Sequence, residues 1–285
     1  MSLFPLLPSL RALLANCGGK NLRGARFAGN LHGKRVDDAQ FLAICHSLIL
    51  ANGVRKTTSP NRNAATLARL VAKGRLKLGR DLDVLDAGAS VGLDAGATLA
   101  LLEKHTTVRS YTLGDLCVAV LYDPARGAVF DEDGRLLQVR ERLGFTSMHF
   151  SWSEPAGEAA AQKVLNLTKR LRPWLLAKRH LFKTSDALVR IPLVHPSVKL
   201  DGASPFRMKR VDAFGPIDER YDLIVCMHLL VERYWSKETI EKGERNLANA
   251  LRPGGTLVAG AAEAGRVWRR RSDAEGDFDK STYVI

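Results

Sequence analysis

Residues 84–102 read VLDAGASVGLDAGATLALL, a pattern typical of a strand followed by a turn and a helix. The first apolar run ends at Asp86, glycines follow at Gly88 and Gly92, and the next apolar run has helical spacing. Glycines let a backbone turn sharply and let a ligand approach it closely. The stretch therefore predicts a ligand-binding turn at the carboxyl end of a buried strand.

Strands and helices alternate along the rest of the chain. Apolar runs predict strands at residues 82–87, 108–113, 117–122, 221–226 and 256–261. Helical spacing predicts helices at residues 38–53, with Asp38 as N-cap, and at 59–76, 93–104, 158–182 and 237–251. A hairpin is predicted over residues 128–139, turning at Asp133 and Gly134. The alternation predicts an α/β fold whose mostly parallel sheet is covered by helices on both faces.

Composition excludes several classes of protein. A hydrophobic fraction of 46% and a charged fraction of 26% are ordinary for a globular protein and argue against disorder or collagen. No run approaches the ~18 apolar residues of a membrane-spanning helix. Cys17, Cys45, Cys117 and Cys226 are far apart and form no Cys-x-x-Cys pair. This spacing argues against a zinc site or a disulfide framework and favours a reducing cytoplasm.

Charge is distributed unevenly along the 285 residues. The net charge is +13, from 43 basic and 30 acidic residues. Residues 1–80 carry +12 and residues 163–210 carry +10, whereas residues 81–162 carry −7 and residues 211–285 carry −2. Such asymmetry indicates a surface that meets nucleic acid or an anionic membrane. The alternative is a soluble protein with generic positive charge.

The turn after Asp86 resembles motif I of the class I S-adenosylmethionine-dependent methyltransferases, an acidic residue followed by three alternating glycines. Here the pattern is Asp86-x-Gly88-x-Ser90-x-Gly92, with Ser90 in place of the middle glycine. The resemblance implies that Gly88, Ala89 and Ser90 pass close to the methionine part of the cofactor and that Asp86 orients the loop or the amino group. A nicotinamide or flavin site and a purely structural turn are the alternatives, although the dinucleotide fingerprint Gly-x-Gly-x-x-Gly is absent.

Three later segments match the same family in the same order. They are residues 211–214 (VDAF), 221–226 (YDLIVC) and 251–257 (LRPGGTL), which resemble the segment beside the adenine, strand 4 and the turn into strand 5. The resemblance implies cofactor contacts for Asp212, Ala213 and Met227, and it makes Asp115 the best candidate for binding the ribose hydroxyls. A carboxylate suits a diol because it accepts two hydrogen bonds. The alternative for Asp115 is an ordinary turn aspartate.

The loop after strand 4, residues 227–235, is where enzymes of this family meet the acceptor. His228 is a candidate base or cofactor contact, and Tyr234 is the second candidate catalytic residue, forming a wall of the acceptor pocket with Trp235. The alternatives are a half-buried histidine bonded to backbone and aromatic side chains that fill the core. Methyl transfer mainly needs alignment and exclusion of water, and a base is needed only for a protonated acceptor. The Asn/Asp-Pro-Pro-aromatic element typical of base N-methylation is absent at residues 226–229.

About ninety residues separate the second strand from Val211, and an insertion is predicted at about residues 124–207. Within residues 162–183, Lys and Arg alternate with Leu, Trp and Phe. This mixture fits an interfacial helix on an anionic bilayer, a groove for RNA, or a cap over the active site with a solvated basic face. The leucines of residues 3–14 favour the membrane over RNA.

The resemblance as a whole implies a three-layer αβα sandwich with a mostly parallel sheet of the seven-stranded type and an inserted cap after strand 2. A basic, mainly helical segment at residues 1–80 precedes a methyltransferase domain at residues 81–285. The implied cofactor is S-adenosylmethionine, without a metal, and the preferred acceptor is a small or lipid-like molecule. The expected location is the cytoplasm, with an anionic membrane surface as a candidate partner. RNA or protein methylation, and a non-catalytic module that binds through the basic segments, are the alternatives.

Overall fold

The computed structural model describes residues 27–33, 36–48, 56, 60, 62–125, 127–134, 136–143, 146–151, 187–232, 234–272, 274 and 276–284. The chain divides into two compact units. The larger unit comprises residues 57–118 and 193–285, and the smaller unit comprises residues 1–56 and 119–192.

The described residues form α-helices and strands with the following bounds. The helices are α1 (Asp38–Ser47), α2 (Arg62–Ala72), α3 (Ala95–Leu102) and α4 (Lys237–Asn249), and a short 3₁₀ helix spans Ala28–Leu31. The strands are β1 (Leu82–Ala87), β2 (Val108–Asp115), β3 (Ala119–Asp123), β4 (Ala128–Phe130), β5 (Leu136–Leu143), β6 (Thr146–Ser151), β7 (Val189–Pro192), β8 (Phe206–Arg210), β9 (Tyr221–Met227), β10 (Leu251–Gly260), β11 (Ala264–Arg270) and β12 (Phe278–Val284).

The larger unit is built on a seven-stranded sheet with the order β12-β11-β10-β9-β1-β2-β8. Neighbouring strands from β8 through β10 are parallel, and β11 is antiparallel to both β10 and β12. The apolar runs of β1 and β9 explain their central position, because a parallel strand covered on both faces needs apolar side chains on both. The predicted mostly parallel seven-stranded sheet is confirmed.

Helices cover both faces of this sheet, which gives the three predicted layers. On one face, Leu67 and Leu70 of α2 and Leu102 of α3 pack with Val84 and Val225 of the central strands. On the other face of the sheet, the core consists of Ile240, Leu247 and Ala248 of α4 together with apolar side chains of β1, β9 and β10. Side chains alternate between the two faces along β1, so the odd residue Leu85 lies on the α4 face and the even residues on the α2 face.

The smaller unit contains a five-stranded sheet with the order β6-β5-β4-β3-β7, in which all four pairs are antiparallel. Gln138 of β5 is buried and joins this sheet to the helical part of the unit. Its side-chain oxygen accepts from the backbone N–H of Ala28 at 2.9 Å, and its Nε2 donates to Oγ of Ser47 at 3.2 Å. A polar side chain is tolerated at this buried position because both ends of the amide have partners.

Some predicted boundaries differ from the structure. The larger unit begins before residue 80 because Leu67 and Leu70 of α2 belong to its core, and the inserted part of the smaller unit spans residues 119–192 rather than 124–207. The predicted N-cap Asp38 is wrong by one residue, since Asp37 accepts from the backbone N–H of Gln40 at 2.7 Å. The predicted helix at 158–182 and the leucine-rich residues 3–14 lie outside the described residues.

The predicted strand at 117–122 corresponds to β3, but β3 pairs with β4 and β7 in the antiparallel sheet. The position beside β2 in the parallel sheet belongs to β8, whose sequence is FRMKR. This strand was not predicted because its three basic residues interrupt the apolar pattern. Charged side chains are common on edge strands, where they discourage pairing with other chains.

Candidate active site at the carboxyl edge of the sheet

A change of direction in the strand order marks the candidate site. From β1 the chain moves outward to β2 and β8, and it then returns to the other side of β1 with β9 and β10. Asp86 of β1 is paired with Val225 of β9, so these strands end side by side. Loops that leave two such strands in opposite directions open a crevice, which is the usual ligand site of open parallel sheets.

The predicted cofactor residues come together at this edge. They are Asp86 near the end of β1, Gly88, Ala89, Ser90 and Gly92 in the following turn, Asp115 at the end of β2, Asp212 and Ala213 after β8, and Met227 at the end of β9. His228, a candidate catalytic residue, directly follows Met227. Sheet topology alone therefore brings these residues, which are up to 142 positions apart in sequence, to one edge.

The turn after β1, residues 88–92, has a left-handed backbone at three positions. The φ angles are +79° at Gly88, +58° at Ser90 and +74° at Gly92. Side chains rarely adopt such angles, so glycine is the natural residue there. Ser90, at the position of the motif's middle glycine, is itself left-handed, so the turn has this backbone conformation although a side chain is present.

Three backbone N–H groups of this turn are already hydrogen-bonded within the larger unit. Gly88 and Ala89 both donate to the carbonyl oxygen of Gly114 on β2, at 2.8 and 3.0 Å. The N–H of Ser90 donates to Oδ2 of Asp115 at 2.8 Å, and Oδ1 of Asp115 accepts from the N–H of Cys117 at 3.1 Å. Asp115 thus connects the turn to the end of β2, and its role with the ribose stays a prediction.

Asp86 lies in a buried polar cluster formed by Asn63, Asp86, Asp94 and Tyr111, here called the Asn63 cluster. Nδ2 of Asn63 is 3.2 Å from each carboxylate oxygen of Asp86, and the hydroxyl of Tyr111 donates to Oδ2 of Asp86 at 3.2 Å. The backbone N–H of Asn63 donates to Oδ2 of Asp94 at 2.5 Å. Burial and the nearby charges of Asp86 and Asp94 raise the pKa of Tyr111 well above its usual range, so its hydroxyl stays protonated.

The segment after β8 forms a second side of the crevice. Asp212 is exposed, and its Oδ1 accepts from the backbone N–H of Phe214 at 2.9 Å. Ala213 is buried, and its carbonyl oxygen accepts from Nδ2 of Asn246 on α4 at 2.9 Å. The aromatic ring of Phe214 contacts the ring of Trp235, with 4.9 Å between the ring centres.

The end of β9 contributes Met227, His228 and Leu229. Met227 is buried, and its sulfur lies 3.7 Å from the hydroxyl of Tyr283. His228 has a φ of +63°, and its backbone N–H donates to the carbonyl oxygen of Gly260 at 2.7 Å. Leu229 packs against the turn, because a Cβ added to Gly88 would lie 3.0 Å from a methyl carbon of Leu229.

Tyr234 differs in its surroundings from the other predicted site residues. It is 44% exposed, whereas the neighbouring Trp235 is partly buried in the α4-side core. Nε1 of Trp235 donates to the carbonyl oxygen of Leu229 at 3.0 Å, which fixes the backbone of the loop beside Gly88. Trp235 therefore supports the site directly, and the catalytic role of Tyr234 stays a prediction.

Sequence analysis missed Asn63 and Asp94, and it placed Leu229 in the loop at 227–235 without a role of its own. Asp94 precedes the apolar run of α3 and occupies its N-cap position, yet its side chain makes no capping hydrogen bond there. It accepts from the N-terminal turn of α2 instead, 31 positions away in sequence. An aspartate before an apolar helix was a visible signal for a cap, but the partner helix could not be inferred from local pattern.

Two further findings concern the described residues only. In the parts of the chain that the structure describes, no group of three or more His, Cys, Asp or Glu side chains is arranged to hold a metal ion. Across the same residues, every helix is too short or too polar to cross a membrane.

No family model matches the chain, and no curated protein matches its sequence. Among solved structures, the fold is similar to the N-methyltransferase NodS from Bradyrhizobium japonicum WM9 in complex with S-adenosyl-L-homocysteine, at 14% identity and a TM-score of 0.29, covering 70% of this chain and 59% of that chain. It is also similar to an S-adenosylmethionine-dependent methyltransferase from Clostridium acetobutylicum ATCC 824, at 10% identity and a TM-score of 0.31. This match covers 79% of this chain and 73% of that chain. A third similar structure is coclaurine N-methyltransferase bound to N-methylheliamine and S-adenosylhomocysteine, at 12% identity and a TM-score of 0.30. This match covers 93% of this chain and 54% of that chain.

The matches span less than two thirds of NodS and of coclaurine N-methyltransferase. All three proteins are methyltransferases by name, the class of enzyme that the sequence motifs resemble. Likenesses this distant do not decide the function, which has to be inferred from the geometry of the crevice.

Proposed function

We propose that this protein binds S-adenosylmethionine at the carboxyl edge of the seven-stranded sheet and transfers its methyl group to a small or lipid-like acceptor. The observation that carries the proposal is the turn after β1, which has three left-handed residues beside the strand reversal. His228, also left-handed, follows the neighbouring strand β9. Non-glycine residues in strained conformations cluster at functional sites.

The polar groups at this edge suit a cation better than an anion. Dinucleotide and phosphate sites present backbone N–H donors to the ligand, but the N–H groups of Gly88, Ala89 and Ser90 are used inside the protein. Carboxylates are concentrated at this edge, at Asp86, Asp94, Asp115 and Asp212; each accepts hydrogen bonds within the protein, but a carboxylate, unlike an N–H group, keeps lone pairs for a further partner. This arrangement favours a positively charged sulfonium cofactor over a nicotinamide or flavin dinucleotide.

A buried side-chain oxygen that could accept a hydrogen bond supports the fit of the cofactor. Oδ1 of Asn63 has no hydrogen-bond partner within the described residues, although Asn63 is only 2% exposed. A buried polar atom without a partner is costly, and a water bridging Asn63 to a ligand ammonium group beyond the turn would satisfy it without direct contact between the two. The cofactor would be held by the turn at 88–92, by Asp115 and by the 211–214 segment, and it supplies an electrophilic methyl group.

The chain itself would orient the reactants and exclude water. Leu229 covers one side of Gly88, and Trp235 holds the backbone of Leu229 in place. An apolar cover of this kind strengthens electrostatic contacts at the reacting centre and excludes hydrolysis. His228 lies on the same loop, where it could take a proton from an acceptor that arrives protonated.

Calorimetry on the full chain tests the proposal. We expect S-adenosylmethionine and S-adenosylhomocysteine each to bind once per chain, while nicotinamide and flavin dinucleotides produce no binding heat. Absence of binding by both sulfur nucleosides at millimolar concentration would defeat the proposal. Binding of a dinucleotide alone would reassign the crevice to redox chemistry.

The acceptor is proposed from sequence, since residues 3–14 and 162–183 lie outside the described residues. Their mixture of Leu, Trp and basic residues favours a lipid-like acceptor reached at an anionic surface. Co-sedimentation with anionic and neutral vesicles tests this preference, and we expect pelleting with the anionic vesicles only. Equal and negligible pelleting with both would refute it, and salt-dependent retention of RNA on filters would favour an RNA acceptor.

A non-catalytic binding module is the second candidate, because the contact between Leu229 and Gly88 is compatible with it as well. The side chain of Leu229 lies against Gly88, the residue that the cofactor is proposed to approach. A module that no longer binds the cofactor would keep this contact permanently. Leu229→Ala removes the contact and distinguishes the two candidates. A non-catalytic module has no affinity for S-adenosylhomocysteine even after the substitution. An enzyme binds the compound both before and after it.

A further inference from the structure

We infer that Asn63, in the first turn of α2, is a positioning residue that holds both ends of the cofactor turn. Its link to cofactor binding rests on the proposed function, whereas its contacts are a property of the larger unit alone. Asp86 stands two residues before the turn at 88–92, and Asp94 stands two residues after it. Asn63 donates to Asp86 through its side chain and to Asp94 through its backbone N–H.

The cluster is fully inside the protein. Asn63 is 2% exposed, Asp86 3%, Asp94 4% and Tyr111 0%. Hydrogen bonds to ionised groups at buried positions are stronger than bonds between neutral groups. Two buried carboxylates also repel each other, so the donors that Asn63 presents to both of them stabilise their proximity.

The geometry of α2 explains why the residue sits there. The first N–H groups of a helix have no partner within the helix, and the positive end of the helix dipole favours a nearby carboxylate. The carboxylate of Asp94 supplies that partner for the N–H of Asn63. Later on α2, the hydroxyl of Thr66 donates to the carbonyl oxygen of Ala262 at 3.4 Å, so the helix also contacts the segment after β10.

The position of α2 and the form of the turn are therefore coupled. A displacement of α2 takes both donors away from Asp86 and Asp94, and the turn loses its connection at each end. Cofactor affinity then depends on a helix that precedes the motif in sequence. Coupling of this kind makes a single side chain on α2 a point at which affinity can be changed without altering the turn itself.

Asn63→Asp tests the inference because it replaces the Nδ2 donor with a titratable oxygen of nearly the same size. Burial beside Asp86 raises the pKa of the new carboxyl, so the ionised form is reached only at about pH 9.5, where it faces Asp86 as a like charge; there we expect S-adenosylhomocysteine to bind about tenfold more weakly or worse. At about pH 5.5 a protonated carboxyl can donate as the amide did, and we expect most of the affinity to return. A purely structural lesion would lower affinity equally at both values.

The titratable groups around Asn63 come from three elements. Asp86 belongs to β1, Asp94 precedes α3, and Tyr111 belongs to β2, while β9 presents the apolar Val225 and Met227 to this core. Tyr111 stays protonated because its pKa is raised well above its usual range. The wild type, measured at the same two pH values, corrects for titration of the native carboxylates and of the ligand.

Ala65→Asp is the matched control, since it adds the same charge to the exposed face of the same helix. We expect its affinity to match the wild type at both pH values. Asn63→Ser, which keeps the backbone bond to Asp94 and loses both contacts with Asp86, replaces Asn63→Asp if the latter does not fold. Its affinity should be weaker at both pH values, and unchanged affinity would overturn the inference.

The outcomes separate this inference from the proposed function. Wild-type binding with unchanged, pH-independent binding by Asn63→Asp overturns the role of Asn63 and leaves the function intact. If the wild type does not bind S-adenosylhomocysteine, the proposed function is wrong. The role of Asn63 in holding the turn is then tested by amide hydrogen exchange without ligand. Faster exchange at Gly88 and Ala89 in Asn63→Ser than in Ala65→Asp at the same pH supports the inference, and equal exchange overturns it.

Discussion

Ser90 and His228 are the two residues other than glycine that have positive φ in the part of the chain that the structure describes. Both follow a central strand of the larger sheet at its carboxyl edge. A non-glycine residue in this conformation costs of order 1–3 kcal/mol, and the surrounding structure has to hold it there. For Ser90, the hydrogen bond between its N–H and Asp115 is one such restraint.

The effect of a substitution at Ser90 on the free energy of unfolding should depend on the backbone conformation that the new residue tolerates, and less on its volume. Ser90→Gly should change the free energy of unfolding by less than about 1 kcal/mol, because relief of strain offsets the added entropy of the unfolded chain. Ser90→Val should lower it by about 1–3 kcal/mol, because a β-branched residue tolerates φ of +58° poorly. Urea unfolding measures both values.

Thr112, buried within the extended strand β2, provides the opposite control. There the valine variant should be the better tolerated and the glycine variant the worse, because strands favour β-branched residues. The same order at both positions would show that the backbone at Ser90 is not strained.

Gly88 and Gly254 have the same φ of +79° and differ in their surroundings. A Cβ on Gly88 would approach Leu229 at 3.0 Å, whereas nothing lies within 4 Å of a Cβ on Gly254. Gly88→Ala and Gly254→Ala should each reduce the free energy of unfolding by roughly 1 kcal/mol through the backbone. Only Gly88→Ala should also weaken S-adenosylhomocysteine binding, which calorimetry measures. Equal affinity for the two variants would remove Gly88 from the site.

At the residue scale, the motif could be predicted and its supports could not. Residues 86–92 form a contiguous pattern, and glycine spacing reports directly on backbone conformation. Asn63 and Leu229 reach the same turn from other elements, and their contacts depend on how α2 and the loop after β9 pack. The bonds from Gly88, Ala89 and Ser90 to β2 were also not foreseen, because they depend on the register between strands.

At the scale of elements, α4 is held to β11 by a buried carboxylate. Glu244 of α4 is fully buried, its Oε1 lies 2.8 Å from Nε of Arg266, and its Oε2 accepts from Nε1 of Trp268 at 3.2 Å. Burial raises the pKa of Glu244 above its ordinary 4.5, against the opposing charges of Arg266 and Lys280. The folded state therefore holds the proton of Glu244 more tightly than the unfolded state does.

Glu244 should make stability decrease with rising pH. Its contribution is fully present below pH 4.5, the ordinary pKa, and is lost as pH rises through the higher pKa of the folded state. Glu244→Gln cannot ionise, so the wild type should lose stability relative to this variant as pH rises through that window. Denaturant titrations across the window measure the difference, with Glu241→Gln on the exposed face as the charge control. A difference in the free energy of unfolding between the wild type and Glu244→Gln that stays constant across the window would contradict the raised pKa of Glu244.

Elements with uninterrupted apolar runs were predicted well, and charged strands were not. β1 and β9 match their predicted positions within one residue at each end. β11 and β12 were not predicted, because arginines interrupt the apolar pattern of β11 at 266, 269 and 270. Arg270 is nevertheless 6% exposed, since its guanidinium donates to the carbonyl oxygens of Asn249 and Leu251 at the end of α4 and the start of β10. Satisfied donors allow a charge to be buried, which pattern alone does not reveal.

For the whole molecule, alternation of strands and helices predicted the larger sheet and its two covered faces. The division into units was less predictable, because residues 1–56 and 119–192 are distant in sequence yet form one unit. Pairing across such separations depends on strand register in an antiparallel sheet, and local pattern carries little information about it. Of the smaller sheet, only the hairpin at residues 128–139 and the strand at 117–122 were anticipated, and that strand was assigned to the other sheet.

If the carboxyl edge of the seven-stranded sheet binds S-adenosylmethionine, a bound ligand should protect the amides there from solvent. Amide hydrogen exchange of the full chain, with and without saturating S-adenosylhomocysteine, measures this protection. We expect slower exchange in residues 84–94, 113–117, 211–214 and 226–229, which converge at that edge. Protection confined to other segments, or no protection at any amide, would contradict binding at that edge.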